Sequence, residues 1–145
     1  MRIRNLFAIL SLVLAVSCAT SKEEGPIKVE TPVRPAGQEN VLGLTVPAMD
    51  TVRVGFVGIG MRGSDAVARY TYISGVKITA LCDVEADRVE KAQKTLEDRG
   101  FPQATSYYGS TESYKELCER DDVDLVYICT DWKHHVPIAL YAMEH

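Results

Sequence analysis

The rhythm of apolar and polar positions changes twice along the chain. Leu6 to Val16 is an almost unbroken apolar run. Residues 19–50 then show no sustained period. They hold Pro26, Pro32, Pro35 and Pro47 among mixed charges, which argues against a helix and predicts a tether and lead-in. Within that stretch Val41-Leu42-Gly43-Leu44 is apolar enough to predict packing on the domain after it. From Thr51 onward, short β-rich runs alternate with segments of helical spacing, the pattern of an α/β unit.

Val52 to Val57 predicts a first strand that ends in glycines, and Ala66, Tyr70 and Ile73 follow at helical spacing. Val76 to Cys82 predicts a second strand. Val89, Ala92 and Leu96 share one face of the next helix, which Gly100 stops. On its wet side Asp87–Lys91 and Glu90–Lys94 are favourable i,i+4 pairs, each contributing a few tenths of a kcal/mol. Tyr107-Tyr108 predicts a short third strand, and Ser110 or Thr111 a cap for a helix carrying Tyr114, Leu117 and Cys118. Leu125 to Cys129 is wholly apolar, as a parallel strand covered on both faces should be. Val136-Pro137 predicts the start of a last helix, with proline in the first turn, and Val136, Leu140 and Met143 continue at helical spacing.

This is the α/β order of a Rossmann-type doubly wound parallel sheet. Such a sheet normally continues beyond its fourth strand, so the chain is expected to hold an incomplete one, its first four strands, with the substrate domain absent. Leu125 to Cys129 would then be an unpaired apolar edge, a hazard for aggregation. The predicted organisation is a signal segment at 1–18, a linker and lead-in at 19–50, and a partial nucleotide-binding domain at 51–145.

The leading apolar run acquires a meaning from its flanks. Met1-Arg2-Ile3-Arg4-Asn5 is a basic start, and the run itself is about eleven residues, short of the roughly twenty that cross a hydrocarbon core. That length suits the h-region of a secretory signal. Ser17-Cys18 followed by polar residues resembles a bacterial lipoprotein signal, in which Cys18 would be lipidated and become the new N-terminus. The expected location is then outside the cytoplasm, anchored to a membrane. A simple cleaved signal and an uncleaved core segment are the other readings. The arginines are not adjacent, so a twin-arginine route is not supported.

Composition excludes little. A formal net charge of -4 with no basic block gives no reason to expect a nucleic-acid partner. Setting Cys18 aside leaves Cys82, Cys118 and Cys129, an odd set. Cys82 and Cys129 end strands that flank the first, roughly 9.6 Å apart and too far for a disulfide. All three are read as buried free thiols with no catalytic part.

The chemistry concentrates after the first strand. Gly58-Ile59-Gly60-Met61-Arg62-Gly63 is a complete G-x-G-x-x-G between a predicted strand and a predicted helix, and Asp83 follows twenty residues after Gly63 at the end of the next strand. Gly58 permits the tight turn. Gly60 lets backbone amides at the helix start approach a pyrophosphate, and Gly63 lets helix and strand pack closely. A strand–helix turn without a ligand is the plain alternative. Asp83 can accept hydrogen bonds from both ribose hydroxyls of an adenosine and would repel a 2′-phosphate by about 1 to 4 kcal/mol. Its neighbour Val84 offers no cation, so NAD is preferred over NADP. Asp83 is also placed to cap the following helix. Arg62 is expected either to reach cofactor phosphate or to stay in solvent.

Thr130-Asp131-Trp132-Lys133-His134-His135 leaves the fourth strand at the sheet edge where ligands collect. Trp132 is expected to pack against the dinucleotide and one histidine to approach the nicotinamide or a sugar. The alternative makes His135 a helix cap and Trp132 ordinary packing. Adjacent histidines diverge and no third ligand stands at a recognisable spacing, so no metal is expected.

At these residues the chain resembles the Gfo/Idh/MocA oxidoreductase family, through "VRVGFVGIGMRG", "ITALCDV" and "DVDLVYICTDWKHHVPIALYAMEH". The wording "TDWKHHVPIALYAMEH", with the signal and lead-in, more narrowly resembles glycoside hydrolase family 109, typified by α-N-acetylgalactosaminidases. The resemblance implies an unusual hydrolysis in which bound NAD transiently oxidises a sugar hydroxyl at C3. The C2 proton is thereby acidified, the glycosidic substituent is eliminated, water adds, and the hydride returns. Paired-carboxylate logic would not apply. The match assigns NAD contacts to Gly58, Gly60, Met61, Arg62, Gly63, Asp83, Thr130, Trp132, Lys133, His134 and His135, and no catalytic residue to this stretch. NAD, a glycoside in the full-length parent and a homo-oligomeric partner are the associations it allows. An N-terminal part of an ordinary NAD-dependent sugar dehydrogenase, and a non-catalytic nucleotide-binding lipoprotein fragment, are the competing readings.

Overall fold

A computed structural model of the chain describes residues 41–145 together with 25, 28, 33 and 35–38. The signal segment and Cys18 lie outside the described residues. Residues 45–145 form one compact unit, which begins shortly before the first strand. In the leading unit Val41, Leu42 and Leu44 are exposed.

Four parallel strands make the sheet: β1 (Val52–Val57), β2 (Val76–Asp83), β3 (Thr105–Tyr108) and β4 (Leu125–Ile128), in the order β3-β2-β1-β4. This is the strand order of the first half of a doubly wound sheet. Four helices alternate with the strands: α1 (Met61–Tyr70), α2 (Ala86–Asp98), α3 (Tyr114–Cys118) and α4 (Trp132–Glu144).

Side chains alternate across each strand, and the two faces bury different sets. On one face Val54 and Phe56 of β1 join Ile78 and Leu81 of β2, and α1 and α2 cover them with Ala66, Val67, Val89, Ala92 and Leu96. Phe56, Tyr70 and Tyr127 meet there with ring centroids 5.1 to 5.3 Å apart. On the other face Val57, Ala80 and Cys82 pack against Tyr114 and Leu117 of α3 and Ile138 of α4. Being covered on both sides is what makes the inner stretches Val54–Val57 of β1 and Ile78–Cys82 of β2 buried and almost wholly apolar.

The end of α2 follows from one glycine. Gly100 has φ +73°, Phe101 N–H donates to Leu96 O at 2.9 Å, and Gly100 N–H donates to Glu97 O at 2.9 Å. These two bonds make a Schellman stop. From the cap position itself, Arg99 reaches back to α1. Its Nη1 donates at 2.7 Å to Ala68 O and at 2.7 Å to Thr71 Oγ1, and its guanidinium lies 4.6 Å from the Tyr72 ring centroid.

Several local expectations are corrected. Ile73 lies past the end of α1 and is exposed, because the helix closes at Thr71. Lys94 pairs with Asp98 at 2.8 Å rather than with Glu90, while Lys91–Asp87 forms at 2.8 Å as expected. The helix α3 opens at Tyr114, not after Ser110 or Thr111. The Ser110 hydroxyl instead accepts from the Glu112 amide at 3.1 Å, holding a turn ahead of the helix.

The largest correction concerns α4, which opens at Trp132 rather than Val136. Asp131 caps it, its carboxylate accepting from the His134 amide at 3.0 Å. Pro137 therefore stands inside the helix, where it forgoes the bond to the Lys133 carbonyl. Val136, Leu140 and Met143 are exposed, and Ile138 carries the buried contact. Cys82 and Cys118 are buried, but Cys129 is only half-buried, so the expectation of three buried thiols holds for two; all three are free.

Candidate functional site

The carboxyl ends of β1, β2 and β4 surround one cavity of about 300 Å³. Its floor is the glycine turn. Gly58 has φ +86°, a conformation few side chains tolerate. A Cβ there would also sit 2.9 Å from both the Cys129 carbonyl carbon and the Thr130 amide nitrogen, so the exit of β4 presses on the turn. At Gly63 a Cβ would lie 2.9 Å from the carbonyl carbon of Gly58 and closer still to its oxygen. Both glycines are demanded by packing within the fold.

Gly60 is different. Its φ of -71° is open to any residue, and the nearest atom to an added Cβ would be Arg88 Nη1 at 3.9 Å. Among the described residues nothing comes nearer to the space in front of it. Gly60 is also the N-cap of α1, so the first amides of the helix, from Met61 through Gly63, have no intrahelical partner. A side-chain-free edge beside unpaired amides is a cradle for an anionic group.

Asp83 closes the cradle from β2. It is 5% exposed and its charge is held by three donors. Oδ2 accepts from the Ile59 amide at 2.6 Å; Oδ1 accepts from the Glu85 amide at 3.0 Å and from Arg88 Nη1 at 3.2 Å. One carboxylate thus joins the turn after β1 to the turn after β2. The helix cap expected of Asp83 falls instead to Glu85, the N-cap of α2, whose amide Asp83 holds.

The third wall is the exit of β4. Thr130 and His134 line the cavity with Asp131 between them. His134 Nδ1 is 2.6 Å from Asp131 Oδ1, and the imidazole beside it holds the Asp131 carboxyl below its ordinary range. With Nδ1 so engaged, Nε2 is the ring nitrogen left for a ligand. Thr130 Oγ1 is 3.3 Å from His135 Nδ1.

Of the residues singled out in sequence, Gly58, Gly60, Asp83, Thr130 and His134 share this cavity. Gly63 is buried beneath the turn, and Met61 and Arg62 are exposed at the start of α1. Trp132 is 97% exposed, so it is neither ordinary packing nor part of the cavity wall. Lys133 and His135 are exposed on the first turn of α4, and the cap expected of His135 is Asp131.

Sequence reasoning missed Arg88, Ser110, Thr111 and Tyr114, which also line the cavity. Val84 is indeed no cation, but the fold brings one to Asp83 from the first turn of α2. A position five after an acid at a strand end, in the first turn of a helix, is the signal that would have found Arg88. Among the described residues no group of three His, Cys, Asp or Glu side chains is placed to hold a metal.

Comparison with known proteins agrees with this geometry. A family described as an oxidoreductase family with an NAD-binding Rossmann fold matches residues 52–145. Over 138 residues the chain is 54% identical to Glycosyl hydrolase family 109 protein 1 of Bacteroides thetaiotaomicron, covering 95% of this chain and 30% of that protein. It is 55% identical over 125 residues to the protein of the same name from Phocaeicola vulgatus, covering 86% of this chain and 26% of that one. A Glycosyl hydrolase family 109 protein of Porphyromonas gingivalis is 49% identical over 141 residues, covering 94% of this chain and 30% of its own length. The chain therefore spans under a third of the curated relatives it matches. The glycine cradle, the buried acid at the end of β2 and the match over the whole sheet together place the chain in the Gfo/Idh/MocA oxidoreductase family, with an NAD-binding Rossmann domain.

Proposed function

We propose that this chain is the NAD-holding part of a family 109 type glycosidase. The observation that carries the reading is the pairing of the buried Asp83 carboxylate with the open edge of Gly60 across one cavity. Gly58 and Gly63 shape the turn, and the amides of Gly60, Met61, Arg62 and Gly63 receive the diphosphate, with the Arg62 guanidinium beside it. Asp83 receives the adenosine ribose, and its charge disfavours a 2′-phosphate. Thr130, Trp132, Lys133, His134 and His135 flank the other half of the dinucleotide, with His134 oriented by Asp131.

When bound, NAD supplies a reversible acceptance of hydride from C3 of the sugar, the step that lets a glycosidic bond break by elimination. The chain's own residues bind and orient. The glycine turn fixes the diphosphate, Asp83 fixes the ribose, and Thr130 and His134 stand at the far wall. The similarity of about half the residues to proteins named for glycosyl hydrolysis supports this reading over others.

The family's description as oxidoreductases favours a second reading, a sugar dehydrogenase that releases NADH. Hydrolysis of an aryl α-N-acetylgalactosaminide by the purified full-length protein, followed at 340 nm, separates the two. Product without net NADH is expected; NADH rising in step with product refutes the glycosidase. Ahead of the domain, residues 1–18 are proposed to direct export as a lipoprotein, on the basic start, the apolar run and Cys18. Loss of membrane association in Cys18→Ser is the expected result, and unchanged fractionation refutes it.

A further inference from the structure

Arg88 stands at the wall of the cavity that Asp83 and Gly60 share. It lies in the first turn of α2, with its Nη1 3.2 Å from Asp83 Oδ1. The same atom is the nearest protein neighbour of the space in front of Gly60. The guanidinium thus spans from the acid to the glycine turn at the cavity wall. Its side chain is 46% exposed, whereas that of Asp83 is 3% exposed.

A carboxylate offers about four acceptor positions. The amides of Ile59 and Glu85 and the Arg88 guanidinium use three of them. A ribose diol needs two, so one donor has to yield. The two amides belong to the turns that build the cradle, while Arg88 is held by a long, half-exposed side chain. Arg88 is therefore the donor best able to move aside, on a side chain tethered beside Asp83.

Resting on the reading that Asp83 receives the adenosine ribose, we propose that Arg88 is a specificity-determining residue: a cation already in place for a 2′-phosphate, held out of use by Asp83. On this proposal the charge of Asp83 is the sole barrier to NADP, and the site is one substitution away from accepting it.

Calorimetric binding of NAD and NADP to the purified full-length protein tests this. Wild type should prefer NAD. Asp83→Asn keeps the side-chain shape and one acceptor oxygen, and should tighten NADP at least about tenfold relative to NAD. Adding Arg88→Ala should remove about tenfold or more of that NADP affinity, as expected for losing a charge-assisted bond to phosphate, and Arg88→Lys should retain most of it. Equal NADP affinity with and without Arg88 overturns the proposal. Should Asp83→Asn fail to fold, Arg88→Ala alone serves, since its side chain is half-exposed. Removing the guanidinium leaves the whole Asp83 charge facing a 2′-phosphate, so NADP should weaken at least threefold while NAD moves less, and an unchanged ratio of the two again overturns the proposal. A wild-type protein that binds neither dinucleotide would instead overturn the site reading, and this proposal with it.

Discussion

The glycine turn offers a way to separate what the fold needs from what a ligand needs. At Gly63 an added Cβ lies 2.9 Å from a backbone carbonyl carbon and overlaps its oxygen, and backbone does not yield cheaply. Relieving the overlap moves the start of α1 away from β1, and that helix carries Ala66 and Val67, both fully buried. Overpacking of this kind costs about 1 to 3 kcal/mol or more. The better helix propensity of alanine returns at most about 1 kcal/mol. Gly63→Ala should therefore be destabilised by about 2 kcal/mol, lowering the melting temperature by at least about 5 °C. Gly60→Ala meets open space at an ordinary φ. Alanine is a poorer N-cap than glycine by about 0.5 to 1 kcal/mol, while restricting the unfolded chain returns a similar amount. Its stability should stay within about 1 kcal/mol of wild type, yet its methyl group enters the cradle, so NAD affinity should fall at least about tenfold. Thermal melts paired with NAD titrations read both quantities. A Gly60→Ala protein that keeps its NAD affinity, or a Gly63→Ala protein that melts like wild type, would refute this division of labour.

Three further outcomes are expected. The Arg53 guanidinium holds the Asp124 carboxyl down at about 2, with contacts of 2.6 and 2.9 Å that clamp the start of β1 to the approach of β4. A depressed carboxyl contributes stability that is whole above its unfolded value near 4 and is lost as pH falls through about 2. An acid-denaturation series should show Asp124→Asn below wild type at neutral pH, with the difference closing across that window; a constant gap down to pH 2 contradicts it. Burial pushes the Cys82 thiol up to about 12 and Cys118 to about 11, so mass spectrometry after iodoacetamide treatment of the native protein at pH 8 should find both unmodified, with Cys129 alkylated first among these three. Rapid modification of Cys82 would show that β2 is not covered as described. Asp131→Ala removes the cap of α4 and should cost about 1 kcal/mol in denaturant unfolding, with Asp131→Asn restoring most of it.

The sheet was legible because its signals are short-range and redundant. Val52–Val57 coincides with β1 since an apolar run ended by glycines has few other meanings, and Gly100 marks the end of α2 through the left-handed turn it permits. Residues whose role is set by backbone spacing, such as Gly58 and Asp83, fell where expected. The start of α4 did not. Pro137 has a strong preference for a first turn, and the competing Asp131 cap, worth about 1 kcal/mol, is a weaker signal in sequence than in space. Because α4 is apolar on more than one side, its spacing did not tell which stripe is buried. Arg88 escaped for another reason. The turn after β2 brings its guanidinium to Asp83, but only the pairing of β2 with β1 sets it beside Gly60.

Arg99 fastens the far ends of the two helices whose near ends frame the cleft. One of those helices is roughly 15 Å long and the other roughly 20 Å, so the guanidinium ties them about a helix length away from the cleft. That clasp is a tie between the two helices beyond the one the sheet gives them, set on the side of the unit away from the cleft.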